Sequence, residues 1–326
     1  MESLIFAINA VLPIVLMVVI GYGIKRIGLI NDHIAKALNK LVFWLLLPCM
    51  LFLNVYKIQD PAAIDMRYIY FSMGITAVIF LCAFPLVMAV IKDNRQRGVV
   101  IQVAFRSNFA LVGLPLALSL YGEEGSMIAT LLSAFMVPLF NVLAVICLSV
   151  FGDGGRISVK RIVMGILKNP LILSIALGGV CLGIRALFVR MGIGFRFSDI
   201  TPVYSVAEQL SKTATPLALL ALGAQFEFSA VPSLKKLIVF GTCLRVIVTP
   251  AIALSVAYLL GCFSGAHFAA FVALFCTPVA VSSVPMTQEM GGDAQAAGQL
   301  VVWTTILSGF TIFLVTLLLK SIGVFG

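Results

Sequence analysis

The sequence predicts an all-α polytopic membrane protein of ten transmembrane helices, built as an inverted repeat of five plus five. Three observations predict it. Of 326 residues, 61% are apolar and 11% charged, with a mean hydropathy of +1.14, which leaves too little polar surface to cover a water-soluble globule. The apolar residues gather into ten stretches of 18 or more, the length at which a helix crosses about 30 Å of hydrocarbon. Finally, the fourth and ninth stretches match one another at an offset of 170 residues.

The stretches fall at 5–24, 37–56, 68–91, 98–120, 126–150, 169–188, 203–225, 235–260, 266–286 and 296–320, with little more than loops between them. In lipid the backbone must satisfy its own hydrogen bonds, and no stretch shows the ten-residue alternation of an outer-membrane barrel, so all ten are expected to be helices. The first has no basic segment before it and is followed by Lys25 and Arg26 without a small-residue cleavage site, so it is expected to be a retained span. Prolines punctuate most of the others: Pro48 in the second, Pro85 in the third, Pro115 in the fourth, Pro138 in the fifth, Pro216 in the seventh, Pro250 in the eighth, Pro278 and Pro285 in the ninth. The sixth opens on Asn169-Pro170, a helix-start pair. Six of the seven cysteines lie in apolar runs and none forms a CxxC pair, so neither a disulfide nor a metal site is expected, and no motif calls for a cofactor.

The net charge of +9 suggests basic residues retained on the cytoplasmic side rather than nucleic-acid binding. Loops after odd-numbered spans hold thirteen Lys and Arg, Arg156, Lys160 and Arg161 among them, against six on the other side. The odd loops are therefore expected in the cytoplasm, with the chain in the cytoplasmic membrane and both termini outside it. Arg106, Lys212 and Arg245 fall inside spans.

The 170-residue offset lays Asn108–Pro115 on Pro278–Pro285, Gly122 on Gly292 and Glu123 on Asp293, and an offset of 168 lays Pro48 on Pro216. Five spans per copy is an odd number, so the second copy must enter the membrane from the opposite side. A single proline ordinarily kinks a helix. Two related breaks are different: unwound backbone at mid-membrane is tolerated only against protein or a water-filled cavity, where half-helix ends offer donors and acceptors to a solute or ion. Gly113, Pro115, Pro278 and Pro285 are expected to shape these breaks.

Order and spacing of several motifs resemble the auxin efflux carrier family, in its bacterial branch of organic-acid permeases. The motifs are Arg106-Ser107-Asn108, Gly113-Leu114-Pro115, Tyr121-Gly122, Asn169-Pro170, the run from Pro216 to Gly223, Arg245, Thr277-Pro278 and Gly291-Gly292-Asp293. The resemblance implies a fold like that of bile-acid sodium symporters and sodium–proton antiporters, in which broken fourth and ninth helices cross beside the substrate. It implies scaffold helices in 1–60 and 153–230, a moving crossover domain in 61–152 and 231–326, elevator-like alternating access, and a homodimer. It also implies a carboxylate substrate: the auxin indole-3-acetate in plant members, malate, malonate and similar acids in bacterial ones. Asn108 matches the family's crossover asparagine, whereas its ninth-span counterpart here is Pro278.

Arg106 lies about 12 Å into the fourth span by helical rise, two residues before the break. A guanidinium there is costly unless it meets a cavity or an anion, and its fork suits a carboxylate; the alternatives are snorkelling or a structural carbonyl. Arg245 suits a substrate or a helix C-terminus equally. Lys212 stands four residues after Glu208, a spacing that lets the pair neutralise each other on one helix face. Thr277, Ser282 and Ser283 flank the second break and Asn141 follows Pro138, all able to bond a substrate oxygen or a freed carbonyl. Glu289 and Asp293 are the candidates to carry a coupling proton or sodium, against a capping or solvated role at a helix end.

Neither a phosphate-cradling GxxxxGK[ST] loop nor an HExxH or GxSxG motif occurs, which excludes an ATP-driven pump and speaks against an intramembrane enzyme. The reading that remains is a secondary transporter of a small organic anion, a mono- or dicarboxylate, with the bilayer as its other partner and no nucleic acid. A passive anion channel, an exporter of auxin-like aromatic carboxylates and a membrane sensor are the rivals.

Overall fold

The computed structural model describes residues 2–58, 66–151 and 159–325. The expected domain boundaries at 60/61 and 152/153, and Arg156, lie outside the described residues. What is described is helical, with a lone β-bridge between Ser107 and Val279.

The first helix, α1 (Glu2–Arg26), is followed by α2 (Asp32–Leu41), which Asn31 caps by accepting a hydrogen bond from the Ile34 amide at 2.9 Å. A π-helical turn, Val42–Leu46, joins α2 to α3 (Leu47–Tyr56). Then come α4 (Met66–Val90), α5 (Asn94–Phe105), a π turn over Phe109–Gly113, α6 (Leu114–Phe151), α7 (Val159–Lys168), α8 (Pro170–Arg190) and α9 (Thr201–Gln225). The chain closes with α10 (Val231–Cys243), a π turn over Leu244–Val248, α11 (Thr249–Leu260), α12 (Gly265–Phe275), α13 (Ser283–Glu289) and α14 (Ala294–Ser321). Each of these three π turns ends two residues before a proline: Pro48, Pro115 and Pro250. A proline removes one amide donor and its ring crowds the carbonyl four residues back, so the helix widens locally instead of breaking.

Among the described residues, six helical segments are long and apolar enough to cross a membrane: Asp32–Tyr56, Met66–Val90, Phe109–Phe151, Pro170–Arg190, Phe228–Leu260 and Ala294–Ser321. The 43-residue segment Phe109–Phe151 would be about 65 Å long if straight, twice the hydrocarbon thickness. It is not straight. Tyr121 and Gly122 leave helical geometry, with Gly122 at φ 59° and ψ −151°, a conformation open essentially to glycine alone. On α8, Leu173, Leu177, Val180, Ile184 and Leu187 are all exposed; an apolar face of that length suits lipid, not water. The molecule is a polytopic integral membrane protein.

Several local expectations change. Residues 159–168 were expected in a loop, but they form the short helix α7, and the second span starts at Asp32 rather than 37 because the Asn31 cap adds a polar turn. The fourth span is unwound at Arg106–Asn108, not over Asn108–Pro115, and the ninth at 276–282. Pro285 sits in the first turn of α13, where an amide has no intrahelical acceptor to lose, and restarts that helix; Pro115 follows the π turn that begins at Phe109 and widens a helix already under way.

Candidate functional site

The two interruptions lie against each other. Ser107 and Val279 form an antiparallel bridge, and the Asn108 amide donates to the Pro278 carbonyl at 2.8 Å. Ser107 and Thr277, 170 positions apart, touch through their hydroxyls at 2.6 Å. Thr277 donates its own proton to the Ala273 carbonyl at 2.9 Å, so Ser107 is the donor of that contact. The bond reciprocal to that between Asn108 and Pro278 cannot form, because Pro278 has no amide hydrogen; the Asn108 carbonyl instead accepts from Val112 at 3.0 Å.

One helix braces both breaks. Thr249, which opens α11, donates to the Ala104 carbonyl near the end of α5 at 2.7 Å. One turn earlier, in the π turn before α11, Arg245 donates Nε to the Thr277 carbonyl at 2.9 Å and Nη2 to the Leu274 carbonyl at 3.1 Å. A guanidinium placed on the last carbonyls of α12 complements the negative end of that helix. Arg245 therefore holds a helix terminus, the second of its two sequence-level roles.

Arg106 is 1% exposed. Its Nη1 meets Gln102 Oε1 and Met286 Sδ, both at 3.1 Å, and its Nη2 meets Asn141 Oδ1 at 2.9 Å and Ser282 Oγ at 2.8 Å. All four partners are neutral, and among the described residues no carboxylate pairs with it. The acceptors are themselves fixed: Gln102 Nε2 donates to Thr287 Oγ1 at 2.7 Å and Asn141 Nδ2 to the Val137 carbonyl at 2.8 Å, which turns each amide oxygen toward the guanidinium. A buried positive charge is thus held by dipoles without a counter-charge, an arrangement that favours an anion nearby.

Arg106 lies in the wall of a cavity of about 560 Å³, within the range of small-molecule sites. One wall comes from the breaks and α6, with Ser107, Asn108 and Ser282 from the breaks and Asn141 from α6; the other comes from α1, α3 and α9, with Met17, Met50, Lys212 and Leu219. Asn108 Nδ2 is buried without a hydrogen-bond partner, a donor left open to whatever occupies the space. Phe109, Ala110 and Leu111 also line it; they begin a helix, and first-turn amides lack intrahelical acceptors. Among the described residues, two cations and no carboxylate line this cavity.

The sequence matches the family described as membrane transport protein at residues 6–161 and 156–316. The chain belongs to the auxin efflux carrier family of membrane transport proteins. Among curated proteins it is similar to an uncharacterized transporter of Methanocaldococcus jannaschii, 27% identical over 271 residues, covering 77% of this chain and 79% of the relative. It is likewise similar to an uncharacterized transporter of Methanothermobacter thermautotrophicus, 22% identical over 310 residues, covering 92% and 94%. Membership places the chain among membrane transporters, not enzymes.

Within this family member, the cavity gathers Arg106, Asn108, Asn141 and Ser282 of the sequence-predicted residues. Gly113, Pro115, Arg245, Thr277, Pro278, Ser283 and Pro285 do not line it. Gly113 lets the π turn approach α12, since a Cβ there would stand 2.8 Å from the Ala273 carbonyl. Glu289 accepts from the Trp44 indole at 3.0 Å, and Asp293 caps α14 through the Ala296 amide at 3.0 Å while accepting from Gln96 at 3.0 Å; neither is at the cavity. The expected Glu208–Lys212 pair is present but loose, at 3.9 Å, and Glu208 is held more closely by Lys57, 151 residues away, at 2.7 Å; Lys212 also lines the cavity. Sequence reasoning missed Gln102, Ser107 and Asn54. Ser107 was findable, because the 170-residue offset places it on Thr277.

Proposed function

We propose that this chain is a secondary active carrier of a small organic anion, a mono- or dicarboxylate, and that the cavity at Arg106 is its substrate site. The observation that carries the reading is the charge of the cavity wall: Arg106 and Lys212, with no carboxylate among the described residues. A site built for a cation would invert that balance. The carboxylate would approach the Arg106, Asn141 and Ser282 cluster and take the open Asn108 Nδ2 and the first-turn amides after it, while the apolar side chains of α1, α3 and α9 cover the rest of the molecule.

In this reading the ten-helix inverted repeat, with broken fourth and ninth helices crossing, supplies the two walls from different halves of the machine. The wall from the breaks moves, and the wall from α1, α3 and α9 stays, which carries the anion across the cytoplasmic membrane by an elevator-like displacement. Contact between residues 170 apart supports the repeat. The brace from Arg245 and Thr249 makes both breaks one body with α11, as a moving domain requires.

Calorimetry on the purified protein tests it, with malonate, malate, lactate and indole-3-acetate, each with and without sodium and at two pH values. The expected result is that at least one of them binds. Arg106→Gln then weakens it by about 2 kcal/mol, or roughly 30-fold in Kd, and Asn108→Ala by about fivefold. Binding of none of them, or binding that both variants leave unchanged, overturns the assignment.

A further inference from the structure

Lys212 is the second cation at the cavity. It stands half-way along the 25-residue α9, yet its side chain is 78% exposed. With α9 as a span, as the carrier reading has it, an ammonium at its middle must face water-filled space, and the central cavity is the space it lines. Its carboxylate neighbour is Glu208, one turn back, an i,i+4 spacing at which the two groups ordinarily meet. They meet only loosely: Nζ to Oε2 is 3.9 Å. Glu208 is held from the other side, where Lys57 Nζ lies 2.7 Å from Oε1. Lys57 caps the end of α3, with its ammonium 5.8 Å from the Tyr204 ring centroid, and it does not line the cavity.

We infer that Lys212 is a second anion-binding group of the cavity and that Lys57 keeps it available by binding Glu208 more tightly than Lys212 does. This rests on the anion-carrier reading above. One carboxylate serves two lysines, and the shorter contact decides which lysine it neutralises. Taking Lys57 away leaves Glu208 free to turn onto Lys212 and mask the charge offered to the substrate. A residue outside the cavity thereby sets the anion affinity inside it.

The test is a set of Kd values, by calorimetry, for the carboxylate among malonate, malate, lactate and indole-3-acetate that binds the wild type most tightly. Lys212→Gln is expected to weaken it about tenfold, and Lys57→Gln about fivefold. Lys57→Gln combined with Glu208→Gln should return to within about twofold of wild type, a recovery that a misfolded protein would not show. The deciding variant combines Lys57→Gln with Lys212→Gln. If Lys57 acts through Lys212, the pair binds no more weakly than Lys212→Gln alone; if the two losses multiply, Lys57 acts only as a distant charge and the inference fails. Wild-type binding that Lys212→Gln or Lys57→Gln leaves unchanged overturns it too, with the carrier reading intact. Failure of every carboxylate to bind the wild type removes the carrier reading and this inference with it.

Discussion

Arg245→Met separates the two roles that the sequence left open for a buried arginine in a span. The side chain is fully buried and spends Nε and Nη2 on the Thr277 and Leu274 carbonyls at 2.9 and 3.1 Å. Bonds from a charged donor contribute about 1.5–3 kcal/mol each, and methionine keeps much of the volume while leaving both carbonyls without a partner. Removing the buried charge returns part of that loss, because its own desolvation cost disappears. The net expectation is a destabilisation of about 3 kcal/mol, seen as a fall of several degrees in the unfolding temperature of the purified protein in detergent. Because Arg245 does not line the cavity, carboxylate Kd measured well below that temperature should stay within about twofold of wild type. An unchanged unfolding temperature with a tenfold weaker Kd would refute this reasoning and make Arg245 a substrate ligand.

Gly223→Ala tests the close packing of α1 against α9, two of the helices that wall the cavity. The new Cβ would overlap the Val18 carbonyl oxygen and stand 2.9 Å from the Tyr22 amide, both backbone, so overpacking should cost at least about 1–3 kcal/mol. Gly179→Ala, on α8 with nothing within 4 Å, should gain about 0.5–1 kcal/mol instead; equal unfolding temperatures for the two variants would disprove the close approach. Asp293→Ala removes the α14 cap and should cost about 1 kcal/mol, with the sodium and pH dependence of carboxylate binding unchanged. Loss of a sodium effect in that variant would return Asp293 to the role of coupling-ion ligand.

Much of the architecture was legible because it follows from one strong signal. Apolar runs long enough to cross hydrocarbon mark the spans whatever their tertiary partners, and prolines mark the points of irregularity. The same prolines misplaced the breaks by a few residues. Pro285 opens a new helix and Pro115 lies in one that begins at Phe109, and unwinding comes before both, where Ser107 and Val279 pair across the molecule. Helix α7 stayed hidden in a charged stretch too short and too polar for the span signal. At the site, Arg106 and Asn108 were legible from depth and from position beside a break. The partners of Arg106 divide by range: Gln102 is one helical turn away, whereas Asn141, Ser282 and Met286 come from other elements. Glu208 shows the same limit. Its local partner was plain from i,i+4 spacing, but the lysine that holds it lies 151 residues away, and no local pattern reports such a pairing.

Uptake of labelled carboxylate into proteoliposomes tests the central claim most directly, using the acid that binds most tightly and comparing wild type with Arg106→Gln. The account predicts saturable uptake, faster when unlabelled acid fills the lumen, and loss of that uptake in Arg106→Gln protein that still unfolds cooperatively. Flux that rises without saturation and ignores the lumenal acid would identify a channel. Binding without flux would identify a sensor, and full uptake by Arg106→Gln would place the substrate elsewhere; any of these three results contradicts the account.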